Sequence, residues 1–600
     1  MKYSRLYNKL VLPVCLAFVG MFSSCSMFDD FLTVYPTNQI TGEQFWEDKN
    51  DLTSVLASAY RQMSLGDVAN RMIVWGEARS DNFILLDQSN ENLRNIENAN
   101  LLPTNSWFSW AAFYKGIGYC NLILSKGMEV VDKDPSFAEG DWLPIAAECK
   151  ALRALYYFYL VRAFRDVPLS LRSNDTSEGV REPVPQTASE TILTFLINDL
   201  EACKDDGMEN YGNDVYNRSR ITKDAIYTIL ADIYMWRACK NASPDSQAVY
   251  GNQYVQDLQK VAEYSDYVIG RKLYDFQKER ETYYGQTNQN GQSIPLPILV
   301  PRTTGNVEDT PYNSLFGEKY SRESIFEIAH TSSSGQYNTA VDGMYGAARS
   351  GRLSDGTYGA SSVFQTPSLL PNADNIAYSQ TDLRQAEAVQ YASSAGSSTT
   401  QIIKYLASEI TVRDATNVFM TSSTTPNVVY GSYQNHDVTS ANWILYRSSD
   451  VILLKAEAIA RLGKAGYYAE GDPILTEAFD LTNAIFTRSN PLIENRYRLL
   501  ATNFASPTSI LEFVMRERQR EFFAEGKRWF DLVRIAMSDG SNQNMLNLLS
   551  PKYNQGANAI KAKLATLNSL FNPVYKEEIK VNPALVQNPI WDIDETIQRN

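Results

Sequence analysis

From Trp107 onwards, apolar side chains recur at steps of three and four residues. In WFSWAAFYKGIGYCNLILSKG, the residues Trp110, Tyr114, Ile117, Asn121 and Leu124 fall on one face of a helix. AAECKALRALYYFYLVRAF repeats the pattern and runs into RDVPL, where Pro168 stops it. SETILTFLINDLEACK, TKDAIYTILADIYMWRAC and YVQDLQKVAEYSDYVI follow, separated by polar loops. Near residue 275 the helical period gives out. Up to about residue 440 serine, threonine, glycine and tyrosine dominate, in TSSSGQYN, SGRLSDGTYGASS, YASSAGSSTT and TSSTTPNVVYGSYQN. Helical spacing returns in WILYRSSDVILLKAEAIARLG and LTEAFDLTNAIFTRS.

Two helices per unit, small residues at the crossings and aromatics in the stripes predict a mostly α chain with tetratricopeptide-type (TPR-like) helical repeats. The pattern divides the chain into an irregular arm over 25–50, helices over 51–274, a loop-rich block over 275–440, and helices over 441–600 that complete the first set. Long loops of this composition resemble adaptable recognition surfaces, or else poorly ordered surface insertions.

RERQREFFAEGKRWFDLVR, residues 516–534, places six basic and four acidic side chains among large apolar ones. Leu511, Met515, Phe522, Trp529 and Val533 share one side of a helical wheel, with Arg518 inside the stripe and Glu517, Glu521 and Glu525 spaced four apart beside it. An arginine on an apolar stripe needs a carboxylate, because an unpaired buried charge costs several kcal/mol. Interleaved acids leave no unbroken basic face. The expectation is a buried ion-pair network, with Gly526 ending one helix and KRWFDLVR starting the next.

The first residues read differently. Lys2, Arg5 and Lys9 precede the short apolar run LVLPVCLAFVGMF and then SSCS, the order of a secretory signal over residues 1–24. Cys25 after two serines resembles the lipidated cysteine of a bacterial lipobox, although Phe22 stands where leucine is usual. The alternative is an ordinary signal-peptidase site that leaves Cys25 a thiol. Cys120, Cys149, Cys203 and Cys239 sit within helical patterns and form no CxxC pair, which disfavours a metal or redox site. Buried thiols are the default, with a disulfide possible in an oxidising compartment.

A net charge of −14 argues against nucleic acid, which calls for a basic footprint. Only His330 and His436 exist, so a histidine base or a histidine-rich metal site is hard to build. No GxSxG elbow, Walker loop or GxGxxG fingerprint is present. Nothing singles out two of the 69 acids as a catalytic pair. The sequence names no catalytic residue, metal ligand or cofactor.

RERQREFFAEGKRWFDLVR is very similar to the signature of the SusD/RagB family of outer-membrane nutrient-binding lipoproteins. Further likenesses follow in order: DDFLTVYPTNQIT, the W-x3-Y-x2-I-x3-N helix, AECKALRALYYFYLVRAFRDVPL, SRITKDAIYTILADIYMW, ESIFEIAH, LYRSSDVILLKAEAIARLG and NPALVQNP. The resemblance implies a SusD-like fold, with TPR-type repeats and an irregular ligand-binding half. It implies a non-enzymatic lipoprotein, lipid-anchored through Cys25 and surface-exposed on the cell outer membrane. Asp29 and Asp30 fit the acidic export signal of such lipoproteins. The implied partner is a SusC-like TonB-dependent transporter, to which captured oligosaccharides are delivered. Starch-binding relatives carry tryptophans just beyond the segment matched by EARSDNFILLDQ; here Phe83 to Gln88 holds one Phe and no Trp, which puts starch in doubt. Arg165 stands where the family usually has glycine, and Ile590 and Trp591 replace a common Gly-Tyr.

Sugar sites pair aromatic faces with groups that bond hydroxyls. By composition and position, Asp67 and Arg71 in SLGDVANR, Asp87 and Gln88, Tyr283, Tyr284 and Asn288 in ETYYGQTNQN, and Tyr312 and Tyr345 are the candidates. Each also reads as an ordinary loop residue. The leading expectation is glycan capture; peptide capture, a TPR adaptor without a nutrient ligand, and an enzyme are the competing classes.

Overall fold

Among the described residues, Asp48 opens the first long helix, α1 (Lys49–Ser64), by accepting from the Asn50 N–H at 2.7 Å, while the Asp51 carboxylate accepts from the Asp48 N–H at 3.1 Å. The reciprocal cap satisfies donors that a helix start leaves open. The computed structural model describes residues 45–592, apart from 173–182, 243–251, 280–298, 301–310, 333–335, 347, 350–351, 354–355, 365–377, 380, 395–396, 407, 413–427, 434–439 and 491–497. The calls on the signal peptide, Cys25, Tyr283, Tyr284 and Asn288 lie outside the described residues.

After α1 come α2 (Gly66–Ile73), α3 (Ala111–Lys133), α4 (Glu139–Phe164), α5 (Ser189–Glu201), α6 (Lys223–Asn241) and α7 (Asn252–Glu279). Each helix from α3 to α7 packs on the next. Small residues do make the crossings. A Cβ on Gly116 would fall 2.3 Å from the Tyr156 ring, and one on Gly127 would fall 2.1 Å from Trp142, so α3 and α4 approach only because these positions lack side chains. From Ala151 to Phe164 every residue of α4 is buried, which is why its apolar pattern wraps the whole helix.

The chain then leaves the helical stack. Short antiparallel strands form where sequence reading expected loops, and also at Phe83–Leu85 and Trp443–Arg447, inside stretches it expected to be helical. β1 (Phe83–Leu85), β3 (Tyr358–Ala360), β5 (Ser397–Ile402) and β4 (Val389–Ser394) make one sheet in that order, and β2 (Ser324–Ile328) pairs with β6 (Trp443–Arg447). A seven-residue helix, α8 (Thr339–Tyr345), packs on α2. The stack resumes with α9 (Ser448–Lys464), α10 (Pro473–Ser489), α11 (Pro507–Glu521) and α12 (Arg528–Asp539). α9 lies on α7 and α12 on α6.

The charged signature is an interior network. Glu521 is fully buried and accepts from Arg447 Nη1 at 2.6 Å, Arg384 Nη1 at 2.8 Å, Ser449 Oγ at 3.0 Å and Arg488 Nη2. Glu525 accepts from Arg447 Nη2 at 2.8 Å and Lys404 Nζ at 2.6 Å. Arg518 meets Asp531 in two 3.0 Å bonds, and Arg528 reaches Asp81 in two of 2.8 Å. Burial alone would push both glutamates up. Arg488, Arg447 and Arg384 instead hold Glu521 well below the usual carboxylate range, and Arg447, Lys404 and Lys527 bring Glu525 down to about 2. Gly526, at φ 73°, turns the chain from α11 into α12. The network thus ties α11 to β6, α9, α10 and the irregular half. Cys120, Cys149, Cys203 and Cys239 are buried free thiols.

Candidate functional site

Two of the expected ligand residues belong to the core. Tyr312 is 3% exposed against Phe316, with Lys404 Nζ 4.9 Å from its ring centroid. Tyr345 is 2% exposed, stacked on Tyr405 and edge-on to Phe83. This corrects the expectation of a ligand-facing surface: rings in a Ser/Gly-rich segment are drawn inward because they hold most of its apolar area. Phe83 is buried as well, stacked on Tyr358.

Arg71 is committed to structure. Its Nη1 donates to the Asp67 carbonyl at 2.7 Å and Nη2 to the Ser106 carbonyl at 3.1 Å, with Trp107 beneath the guanidinium, so it ties α2 to the turn at Asn105–Ser109. Asp67 is exposed in the first turn of α2, its carboxylate 3.3 Å from Arg71 Nη1. Asp87 and Gln88 lie exposed beyond β1. Asp87 Oδ1 accepts from the Ser89 N–H at 3.1 Å, and Gln88 Nε2 donates to the Leu85 carbonyl at 2.6 Å. Thr357 bonds both Leu86 and Gly343, and α8 packs on α2. α8 therefore lies close both to α2, which carries Asp67, and to the residues after β1, which carry Asp87.

Beside Gly66, a cleft of about 630 Å³ opens between the last turns of α1, strand β2, the short helix Asp214–Ser219 and residues 336–339. That volume suits a small-molecule site. Phe326 and Ile328 alternate along β2 with Glu327, and His330 continues the period. Tyr60 meets Phe326 at 6.2 Å between ring centroids, near edge-on. The Tyr60 hydroxyl donates to Glu148 Oε1 and accepts from the Ile221 N–H at 2.9 Å. Glu148 in turn takes Arg220 through bonds of 2.9 and 2.6 Å, and Arg220 stacks over Tyr211 at 4.1 Å. The back wall is therefore locked by paired charges and ring contacts, the rigid support that a binding site requires.

The polar groups of the cleft have defined states. Burial, reinforced by Glu148, raises the Tyr60 phenol well above its ordinary range, so it stays a donor. Burial pulls the His330 imidazole down to about 4, against the opposing pull of the Gln336 and Tyr337 backbone, so it is neutral near pH 7. His330 Nε2 is buried and has no partner. Tyr216 is 52% exposed and Tyr337 half-buried, which leaves ring area for stacking. Arg61, Gln336 and Thr339 are exposed around them. Two aromatic faces with a guanidinium, an amide and hydroxyls can hold a polyhydroxylated ligand.

None of these cleft residues was among the candidates drawn from sequence. The signals were present but unplaced: Tyr337 lies in TSSSGQYN, and His330 is one of two histidines. Among the described residues, no group of three His, Cys, Asp or Glu is placed to hold a metal ion, and no helix is long and apolar enough to cross a membrane.

The chain matches two family models: one described as the SusD family, over residues 323–591, and one described as starch-binding associating with outer membrane, over residues 30–235. A SusD-like protein P38 of Formosa agariphila is 24% identical over 527 residues, covering 86% of this chain and 89% of that one. A SusD superfamily protein of Bacteroides thetaiotaomicron superposes with a TM-score of 0.59 at 19% identity, covering 91% of this chain and 99% of its own. A laminarin-binding SusD-like protein superposes at 0.56 with 21% identity, covering 91% and 100%.

Proposed function

Because the chain belongs to the SusD family, we propose that it is a cell-surface lipoprotein that captures oligosaccharides and delivers them to a SusC-like TonB-dependent transporter of the outer membrane. The observation that carries glycan capture is the cleft beside Gly66, with Tyr216 and Tyr337 for stacking and Arg61, Gln336 and Thr339 for hydroxyls. A structural neighbour that binds laminarin supports a glycan ligand. Starch fits less well: Phe83, the one aromatic between Phe83 and Gln88, is enclosed by other rings and offers no face. Asp67, Asp87 and Gln88 serve as outer contacts for a longer chain, and Tyr283, Tyr284 and Asn288 are proposed to join them. TPR-type repeats in the helical stack and lipidation at Cys25 complete this reading. The protein binds without turnover.

The test is calorimetric titration with α-glucans, β-glucans, hemicelluloses, fructans and host-type glycans, and with a peptide panel in parallel. Heat from one glycan class, lost in Tyr216→Ala/Tyr337→Ala at an unchanged melting temperature, supports the proposal. Heat from peptides alone replaces it with a peptide-capturing protein of the same architecture.

A further inference from the structure

The charges of the cleft beside Gly66 cancel except for one. Of its lining residues, Arg61, Arg220 and Glu327 are ionisable as a cation or a carboxylate. Arg220 is spent on Glu148, through the bonds of 2.9 and 2.6 Å that lock the back wall. Glu327 is fully buried in β2, where it accepts from Asn442 Nδ2 at 2.7 Å and from the Tyr320 N–H at 3.2 Å. Arg218 and Lys319 are the cations that act on it. Their own donors go to the Ser321 carbonyl at 3.1 Å and the His330 carbonyl at 3.2 Å. Two acids on neighbouring helices are also accounted for. Asp67, next to Gly66, lies 3.3 Å from Arg71 Nη1. Asp214 stands four residues before Arg218, on that residue's side of the short helix, whereas Tyr216, Ser219 and Arg220 line the cleft from the other side.

Arg61 is left over. It is exposed in the last turn of α1, and its guanidinium has no hydrogen bond or ion pair among the described residues. The positions three and four residues away hold Ala57, Ser58, Ser64 and Leu65, none of them an acid. The hydroxyls of the wall are of the opposite kind. Thr53, Ser64 and Ser219 give their hydrogens to the carbonyls of Asn50, Arg61 and Val215, at 3.0, 2.8 and 2.7 Å. What they offer a ligand is therefore lone pairs, which accept from sugar hydroxyls. Arg61 only donates, in a planar fork that fits two oxygens of one anionic group, and a neutral sugar leaves its charge uncancelled. From this division of donors and acceptors we infer that the glycan taken by the cleft is acidic, with the carboxylate of a uronic acid or a sulfate ester held by Arg61. The inference rests on the glycan reading of this cleft.

The test is calorimetric titration of the whole protein with oligosaccharides in matched pairs: oligogalacturonates beside their methyl esters, and sulfated galactan fragments beside the desulfated chains. The first pair answers for a carboxylate and the second for a sulfate. The expected result is that the charged member of one pair binds about tenfold tighter than its neutral partner, and that the advantage shrinks as salt is raised. Arg61→Gln removes the advantage at an unchanged melting temperature, and Arg61→Lys, which keeps the charge without the fork, retains part of it. A neutral member that binds as tightly as its charged partner, a ligand found only among neutral glycans, or an advantage that survives Arg61→Gln overturns the inference while the glycan reading stands. No heat from any glycan overturns both.

Discussion

Glu521 concentrates the physics of this chain in one carboxylate. It sits in the interior with three guanidiniums on it, and removing its charge leaves them facing an amide. Breaking a buried pair in this way costs about 3–5 kcal/mol, so Glu521→Gln is expected to lower the urea midpoint by a corresponding amount. A loss below about 1 kcal/mol, the value of an exposed pair, would contradict the burial. The same group sets the acid limit. Glu521 and Glu525 hold their protons far less tightly folded than unfolded. Their contribution is therefore complete above the unfolded value of about pH 4.3 and is lost as pH falls through the folded values, near 2 for Glu525. Melting temperature should fall steeply over that window, and less steeply in Glu521→Gln. The acids spaced beside Arg518 announced such a network in the sequence. Its partners did not show, because Arg384, Lys404, Arg447 and Arg488 come from segments that no local pattern connects to residue 521.

Among the elements, helices were legible and strands were not. A 3.6-residue period over α3 and a continuous apolar run through α4 mark both as helices, and Gly116 and Gly127 mark where they cross. Gly116→Ala drives a methyl into the Tyr156 ring and is expected to cost about 1–3 kcal/mol by overpacking, read as a lowered urea midpoint. An unchanged midpoint would mean the helices stand further apart. The strands between residues 348 and 433 are two to six residues long and most carry Ser, Thr or Gly, while β2 (SIFEI) and β6 (WILYR) are short, fully buried runs. The first are too short and polar for alternation, and the second cannot be told from buried helix by period. Arg165 is a third case. It holds φ at 70°, where the family's glycine would be relaxed, and its Nε bonds Asp166 at 2.8 Å. Arg165→Ala and Arg165→Gly both lose that pair, but only alanine keeps the strain. The glycine variant should be the more stable by about 1 kcal/mol, measured as the difference between their denaturation midpoints; equal midpoints would remove the strain argument.

At the scale of the whole molecule, a site is built from parts that lie far apart in the chain. Tyr60 comes from α1, Tyr216 from a short helix, His330 from the end of β2 and Tyr337 from the turn before α8. Sequence reading found the family and the helical frame because both are written in continuous stretches. It looked for ligand residues in the tyrosine-rich block and named Tyr312 and Tyr345, which folding draws into the core, while the cleft was assembled from the edges of that block and the first helix. The most direct test of the account is a crystal structure of the protein with the glycan that gives the largest heat of binding. The account predicts sugar density in the cleft beside Gly66, with rings against Tyr216 and Tyr337. Ordered sugar elsewhere, with that cleft holding solvent alone, would contradict it.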